Sequence, residues 1–242
     1  MVVGSFAAAS GLAPKGPSST QIEYSASFDL SSVEQTDDGW STTSLSGQSV
    51  VVDGGEVTTR TVQLGACDHD HPSGFFGRLF AAAGPSTAVA GHSSGDLSPV
   101  LLELSRVESL VDLDRSTFGT VVGESESYCS GHWAVARPTD LSSTVSIWIE
   151  GSWSIEGGAE TRFRIEGESA WGFESPLVDG EGNAVHVDSG SSVSVELVRE
   201  IATMFDRVDF TIASSDDAGL VLHALTAGAR WVVLEGETHL AD

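Results

Sequence analysis

Apolar and polar residues alternate with a period of two along much of the chain. In TQIEYSASFDL, residues 20–30, Ile22, Tyr24, Ala26, Phe28 and Leu30 share one parity with polar residues between them. That is the pattern of a strand buried on one face. In QSVVVDGGEVTTRTVQL, residues 48–64, Asp53-Gly54-Gly55 separates two strand-like runs and predicts a hairpin turn. Segment 143–173, STVSIWIEGSWSIEGGAETRFRIEGESAWGF, carries Val145, Ile147, Ile149, Trp153 and Ile155 on odd positions. After Gly157-Gly158 the odd row continues with Thr161, Phe163, Ile165, Trp171 and Phe173. Only a loop with an odd number of residues sets both rows on one face. The expectation is a three-residue turn, Gly157 to Ala159, with Trp153 opposite Phe163. Ser152 and Ser154 then face Arg164 and Arg162, and Glu150 faces Glu166, a like-charge pair.

Further strands are expected in FGTVVG (118–123), HWAVAR (132–137), RVDFTIA (207–213) and RWVVLEGETHL (230–240). Two short helices are expected: FFGRLFAAA (75–83), and VELVREIATMF (195–205), where Val198, Ile201, Ala202 and Phe205 follow helical spacing. Many strands and few helices predict a mainly-β fold, an antiparallel β-sandwich or jelly-roll barrel with one or two short helices. It would occupy residues 21–242, behind an N-terminal arm at 1–20. No repeat of fixed period is visible.

Charge narrows the class. Thirty-five Asp plus Glu stand against 11 Lys plus Arg, with Lys15 the sole lysine, for a net charge of -24. Such a surface repels nucleic acid and anionic lipid. In ordinary buffer it also repels itself, whereas multimolar salt shortens the Debye length to a few Å and removes the penalty. The composition resembles that of halophilic archaeal proteins, and most of the acids then belong to a salt-adapted surface. No apolar run approaches the ~20 residues of a membrane-spanning helix. The segment MVVGSFAAASGLAPKGPSST has its positive residue after the apolar part, which favours an arm over a signal peptide. The sole asparagine, Asn183, precedes Ala-Val, so the chain has no N-x-S/T glycosylation acceptor.

Two stretches offer chemistry. ACDHDHPSG, residues 66–74, places Cys67, His69 and His71 at alternate positions, and YCSGHW, residues 128–133, adds Cys129 and His132. Thiolate and imidazole are ligands that zinc accepts, although the spacing is not that of a standard zinc module. A polar loop, a Cys67–Cys129 disulfide and a zinc site all stay open, the disulfide ranking above the metal.

Second, Gly91-His92-Ser93-Ser94-Gly95 satisfies G-x-S-x-G. TAVAGHSSG followed by LLELSRVESLVDLD, and FTIASSDD with GARWVVLEGETHLAD, resemble the elbow, acid and histidine segments of α/β-hydrolases. The resemblance implies Ser93 as nucleophile, His239 as base and Asp216 or Asp217 as the orienting acid, acting on esters. The stretch between elbow and RVESLV is short for the helix behind the nucleophile, and no HGGG-type oxyanion motif precedes it. His186 and His223, in apolar surroundings, read as structural. Trp40, Trp133, Trp148, Trp153, Trp171 and Trp231 form either core or, as in extracellular carbohydrate-binding modules, a sugar-binding face. The parity of Trp148 opposes Ile147 and Ile149, which suggests a second packed face or a subunit contact.

Taken whole, a salt-adapted, strand-rich chain of this length with a small-residue arm resembles the single jelly-roll major capsid proteins of haloarchaeal viruses. The resemblance implies a structural virion protein without catalysis or cofactor, whose partners are copies of itself and related shell subunits. Localisation would be the virion, or alternatively the exterior or cytoplasm of a halophilic archaeon.

Overall fold

The computed structural model describes residues 19–67, 100–123, 127–138, 144–212 and 217–235, together with the backbone of 238–240. The fold is mainly β. Among the described residues fourteen strands follow one another, first β1 (Thr20–Asp29), β2 (Glu34–Thr36), β3 (Gly39–Thr43), β4 (Ser49–Ala66), β5 (Leu102–Ser109), β6 (Ser116–Gly123) and β7 (Tyr128–Val135). Then come β8 (Ile147–Ser154), β9 (Thr161–Gly167), β10 (Trp171–Val178), β11 (Val185–Val187), β12 (Ser192–Glu200), helix α1 (Asp217–Ala227), β13 (Ala229–Glu235) and β14 (Thr238–Leu240).

The strands form two facing layers. One runs β13-β12-β1-β6; the other centres on β4, with β3 and β5 along one edge and β8 and β7 along the other. β10 joins them: Trp171 to Pro176 pair with β7, while Leu177 and Val178 pair with β13. Pairing is antiparallel except at β1–β12 and β10–β13. The core lies between the layers, built by the alternation seen in the sequence: Ile22, Tyr24, Ala26 and Phe28 of β1 are buried with Val193, Val195 and Leu197 of β12 and Trp231 of β13. Opposite them lie Val57, Val62 and Leu64 of β4 and Trp133 and Val135 of β7. Tyr24 stitches the layers, its hydroxyl donating to the carbonyl of Val100 (2.9 Å) and accepting from the amide of Leu64 (3.0 Å). Burial pushes that phenol far above its ordinary pKa, so it keeps its proton and its donor role.

Several expectations need correction. Asp53-Gly54-Gly55 is no turn, because β4 runs unbroken from Ser49 to Ala66 with a register shift between Val52 and Gly54. The glycines serve close approach instead: a Cβ on Gly54 would meet the Glu150 side chain at 2.8 Å. The segment expected as a helix from 195 is the strand β12, because Val193, Val195, Leu197 and Arg199 turn inward with a period of two. Residues 202–212, read partly as strand, form successive turns instead. The 230–240 run is two strands, β13 and β14. The helix expected at 75–83 lies outside the described residues.

The β8–β9 hairpin keeps the expected odd rows on one face but shifts register by two. Trp153 faces Thr161, and Gly151 faces Phe163. Glu150 therefore stands opposite Arg164, and the two form an ion pair at 2.8 Å where a repulsive Glu150–Glu166 pair was expected. Arg162 likewise reaches Asp53 on β4. Arg164 also reaches Glu166 on its own strand (3.1 Å), and Gly157, at φ 73°, supplies the left-handed residue of the longer turn.

Helix α1, not foreseen in the sequence, buries Ala218, Val221, Leu222 and Leu225. Its first turn rests on Gly167, where a Cβ would come within 2.5 Å of the Ala218 methyl.

Candidate functional site

One end of the sandwich gathers three chain tips. The β3–β4 turn, residues 44–48, carries Leu45; the β8–β9 turn begins with Ile155; and the turns after β12 carry Ile212. Ser49 pairs with Ser154, which sets the first two tips side by side. The amide of Leu45 donates to Asp206 Oδ1 (3.0 Å), and Thr42 Oγ1 donates to the carbonyl of Ala202 (3.2 Å), fastening the third segment to the first.

Aromatic packing holds this end rigid. Phe205 stacks on Trp40 at 6.1 Å between centroids and meets Phe163 edge-on at 5.8 Å. Phe210 lies 4.9 Å from Phe163 and stacks on Trp153 at 5.8 Å. Beneath the surface, then, the end is a cluster of five rings. Above it three aliphatic side chains face solvent: Leu45 is 84 % exposed, Ile212 75 % and Ile155 58 %. Glu156 and Glu160 follow Ile155, and Asp206 and Asp209 precede Ile212; Asp209 is held below the usual carboxylate range by the side chain and amide of Thr211. Three exposed apolar side chains thus sit over a packed aromatic cluster, with acidic residues on two of the same turns.

A second surface feature is a shallow groove of about 310 Å³ on the outer face of β6, β1, β12 and β13, lined among others by Glu23, Ser25, Arg115 and Thr117. Arg115 spans it, pairing with Glu196 (3.0 Å) and donating to Ser25 Oγ (2.8 Å).

The residues expected to carry chemistry are dispersed. Cys67 and Cys129 form a disulfide, with Cα atoms 5.0 Å apart, where the end of β4 meets the start of β7. Their sulfurs are thereby removed from the expected zinc set, since a bonded cysteine has no thiolate to donate. His132 stands on β7 in register with Gln63 and Glu174, while His69 and His71 lie outside the described residues. Among the described residues no group of three His, Cys, Asp or Glu converges as metal ligands would.

Of the hydrolase set, Ser93 and Asp216 lie outside the described residues; Asp217 opens helix α1, and His239 pairs in register with His186 on β14 and β11. The largely antiparallel sheet, with α1 the one helix among the described residues, differs from the parallel helix-flanked sheet that the resemblance implies. Trp40, Trp133 and Trp231 are buried and offer no sugar-binding face. Trp148 is half-buried on the outer face, donating to Glu56 Oε2 (2.8 Å) under the guanidinium of Arg164. His223 proves exposed on α1, against the edge of Trp171, contrary to the apolar setting expected for it.

The sequence did not single out Leu45, Ile155 or Ile212. Parity put Ile155 in the inward row of β8 and Ile212 in a strand, because alternation does not report where a strand ends. No family model, curated protein or solved structure matches this chain.

Proposed function

We propose that this protein is a structural subunit that assembles with copies of itself or related subunits, as a virion shell protein of a halophilic archaeal virus. The observation that carries the reading is the rigid end bearing Leu45, Ile155 and Ile212 on a chain of net charge -24. Keeping three large aliphatic side chains in water forgoes ~1.5–3 kcal/mol each relative to full burial. A neighbouring subunit that covers them recovers that free energy.

Salt controls the balance. Each contact brings acidic surfaces together, and only where the Debye length is shorter than the spacing between carboxylates does apolar burial outweigh the repulsion. The Cys67–Cys129 bond suits a particle that persists outside a reducing cell. Sedimentation velocity and light scattering in multimolar salt, repeated after dialysis to low salt, test the reading. Regular assemblies that dissociate before the subunit unfolds are expected, and the variant Leu45→Asp with Ile155→Asp should remain dispersed in high salt. A wild-type monomer at every salt and protein concentration overturns it.

A further inference from the structure

Five strands lie at sheet edges among the described residues: β2, β5, β6, β9 and β14, each bonded to a single neighbour. An edge strand offers a row of unpaired amides and carbonyls to any other chain, and proteins guard such rows with brevity, charge, proline or a β-bulge. Four of the five are guarded. β2 and β14 are three residues long. β5 carries Glu103 and Arg106, and β9 carries Arg162, Arg164 and Glu166.

β6 is different. Its eight residues, STFGTVVG, contain no charge and no proline, in a chain with 46 charged residues (35 acids plus 11 bases) among 242. Thr, Phe and Val are strand-favouring residues. A register shift near Phe118 interrupts its pairing with β1, but from Gly119 to Gly123 the register is continuous, Tyr24 facing Gly119 through to Thr20 facing Gly123. Val122 is 64 % exposed and Thr120 also faces solvent, while Phe118 and Val121 are only half buried against the core.

We infer that β6 is a subunit interface, pairing antiparallel with β6 of a second copy across a two-fold axis. The inference rests on the assembly reading and names one of its contacts. Charge selects the occupant. Two copies of net charge -24 repel wherever carboxylates face each other, and like charges directly opposite on paired strands are destabilising. Over β6 a copy brings no charge against a copy. An edge that is polar-neutral and apolar is complementary to itself, and an isologous contact requires that self-complementarity. The pairing makes one continuous sheet from β13-β12-β1-β6 of each molecule and removes the unguarded edge from both.

The test uses the full chain in multimolar salt. Thr120→Lys and Val122→Lys place charge on outward positions of β6 without entering the core, and Val122→Thr is the neutral control. Sedimentation velocity should show the lysine variants needing roughly tenfold or more protein to associate, with Val122→Thr behaving as wild type. Association unchanged in both lysine variants overturns the edge contact while leaving an assembly built through the Leu45 end standing; a wild-type monomer under all conditions overturns both.

Hydrogen exchange on unmodified protein gives a readout independent of the variants. Protection of amides 119–123 should rise as protein concentration carries the sample into the associated state. Protection that is the same in dilute and concentrated samples means that the chain covers its own edge, and it overturns the inference.

Discussion

Arg199 on β12 and Glu108 on β5, 91 positions apart, join the two layers through a bidentate ion pair sealed inside the sandwich. Nη2 donates to Oε1 at 2.7 Å and Nη1 to Oε2 at 2.9 Å, and both side chains are almost wholly buried. Glu108 Oε2 also accepts from Thr59 Oγ1 (2.6 Å), which in turn accepts from Trp133 Nε1 (3.1 Å). The guanidinium lies 4.1 Å over the Phe28 ring and 5.4 Å from that of Trp133. Removing one partner strands a buried charge, at ~3–5 kcal/mol, whereas replacing both with apolar residues of similar volume avoids that cost. Arg199→Met alone should therefore destabilise far more than Arg199→Met combined with Glu108→Leu. Denaturant titration of the two single variants and the double variant gives the coupling, and additive effects would contradict a buried pair.

Phe205 touches Trp40, Phe163 and Phe210 and anchors the turns that follow β12. Phe205→Ala should cost ~3–5 kcal/mol by leaving a cavity among the rings. Ile212→Ser, on the same segment but facing solvent, should change monomer stability by less than ~0.5 kcal/mol. Thermal unfolding of both, under dissociating conditions, separates the buried anchor from the exposed tip.

The disulfide closes a loop between residues 62 positions apart. Restricting the unfolded chain over that span is worth ~2–4 kcal/mol. Intact mass after alkylation should show no reactive thiol before reduction and two afterwards. The double variant Cys67→Ser and Cys129→Ser should lower the denaturation midpoint accordingly while keeping the strand signal in circular dichroism.

Asp29 closes β1. Its carboxyl accepts from Ser31, side chain and amide, and from Arg230 of β13 (3.0 Å), and these contacts lower its pKa from 3.8 to about 2. Because the folded value lies below the unfolded one, the stabilisation is complete above the ordinary aspartate range and is lost as the pH falls through about 2. The group is partly exposed, so its contribution is below ~1 kcal/mol. Asp29→Asn should lower the melting temperature by ~2–4 °C or less near neutrality. The difference from wild type should vanish below about pH 2. A difference that persisted in acid would place the effect in packing instead.

Alternation in the sequence determined which residues face inward. The rows Ile22–Tyr24–Ala26–Phe28, Ile147–Ile149 and Phe163–Ile165 are buried as their parity requires, because adjacent side chains of a strand project to opposite faces and only one face can be covered. The strand-rich class followed from the same period, and the acidic surface from composition alone. Where a segment carried two periods at once the reading went astray. In VELVREIATMF, helical spacing at Val198, Ile201, Ala202 and Phe205 competes with alternation at Val195, Leu197 and Arg199, and packing against β1 and β13 selects the strand.

Tertiary structure alone decided register, strand continuity and exposure. Parity is unchanged by a shift of two, so it could not separate a Glu150–Glu166 pairing from the Glu150–Arg164 ion pair that formed. Asp53-Gly54-Gly55 has turn composition, yet the side chain of Glu150 on a strand nearly a hundred positions away needs the space that Gly54 leaves. Arg199 shares the parity of Val193, Val195 and Leu197, but its partner Glu108 is brought to it only by the packing of one layer on the other. For the same reason the exposed tips of Leu45, Ile155 and Ile212, and the uncharged edge that β6 presents among the described residues, exist only once the strands have chosen neighbours. Sequence periodicity is a local property of one strand, whereas an edge, a partner or a gathering of loops is a relationship between strands far apart in the chain.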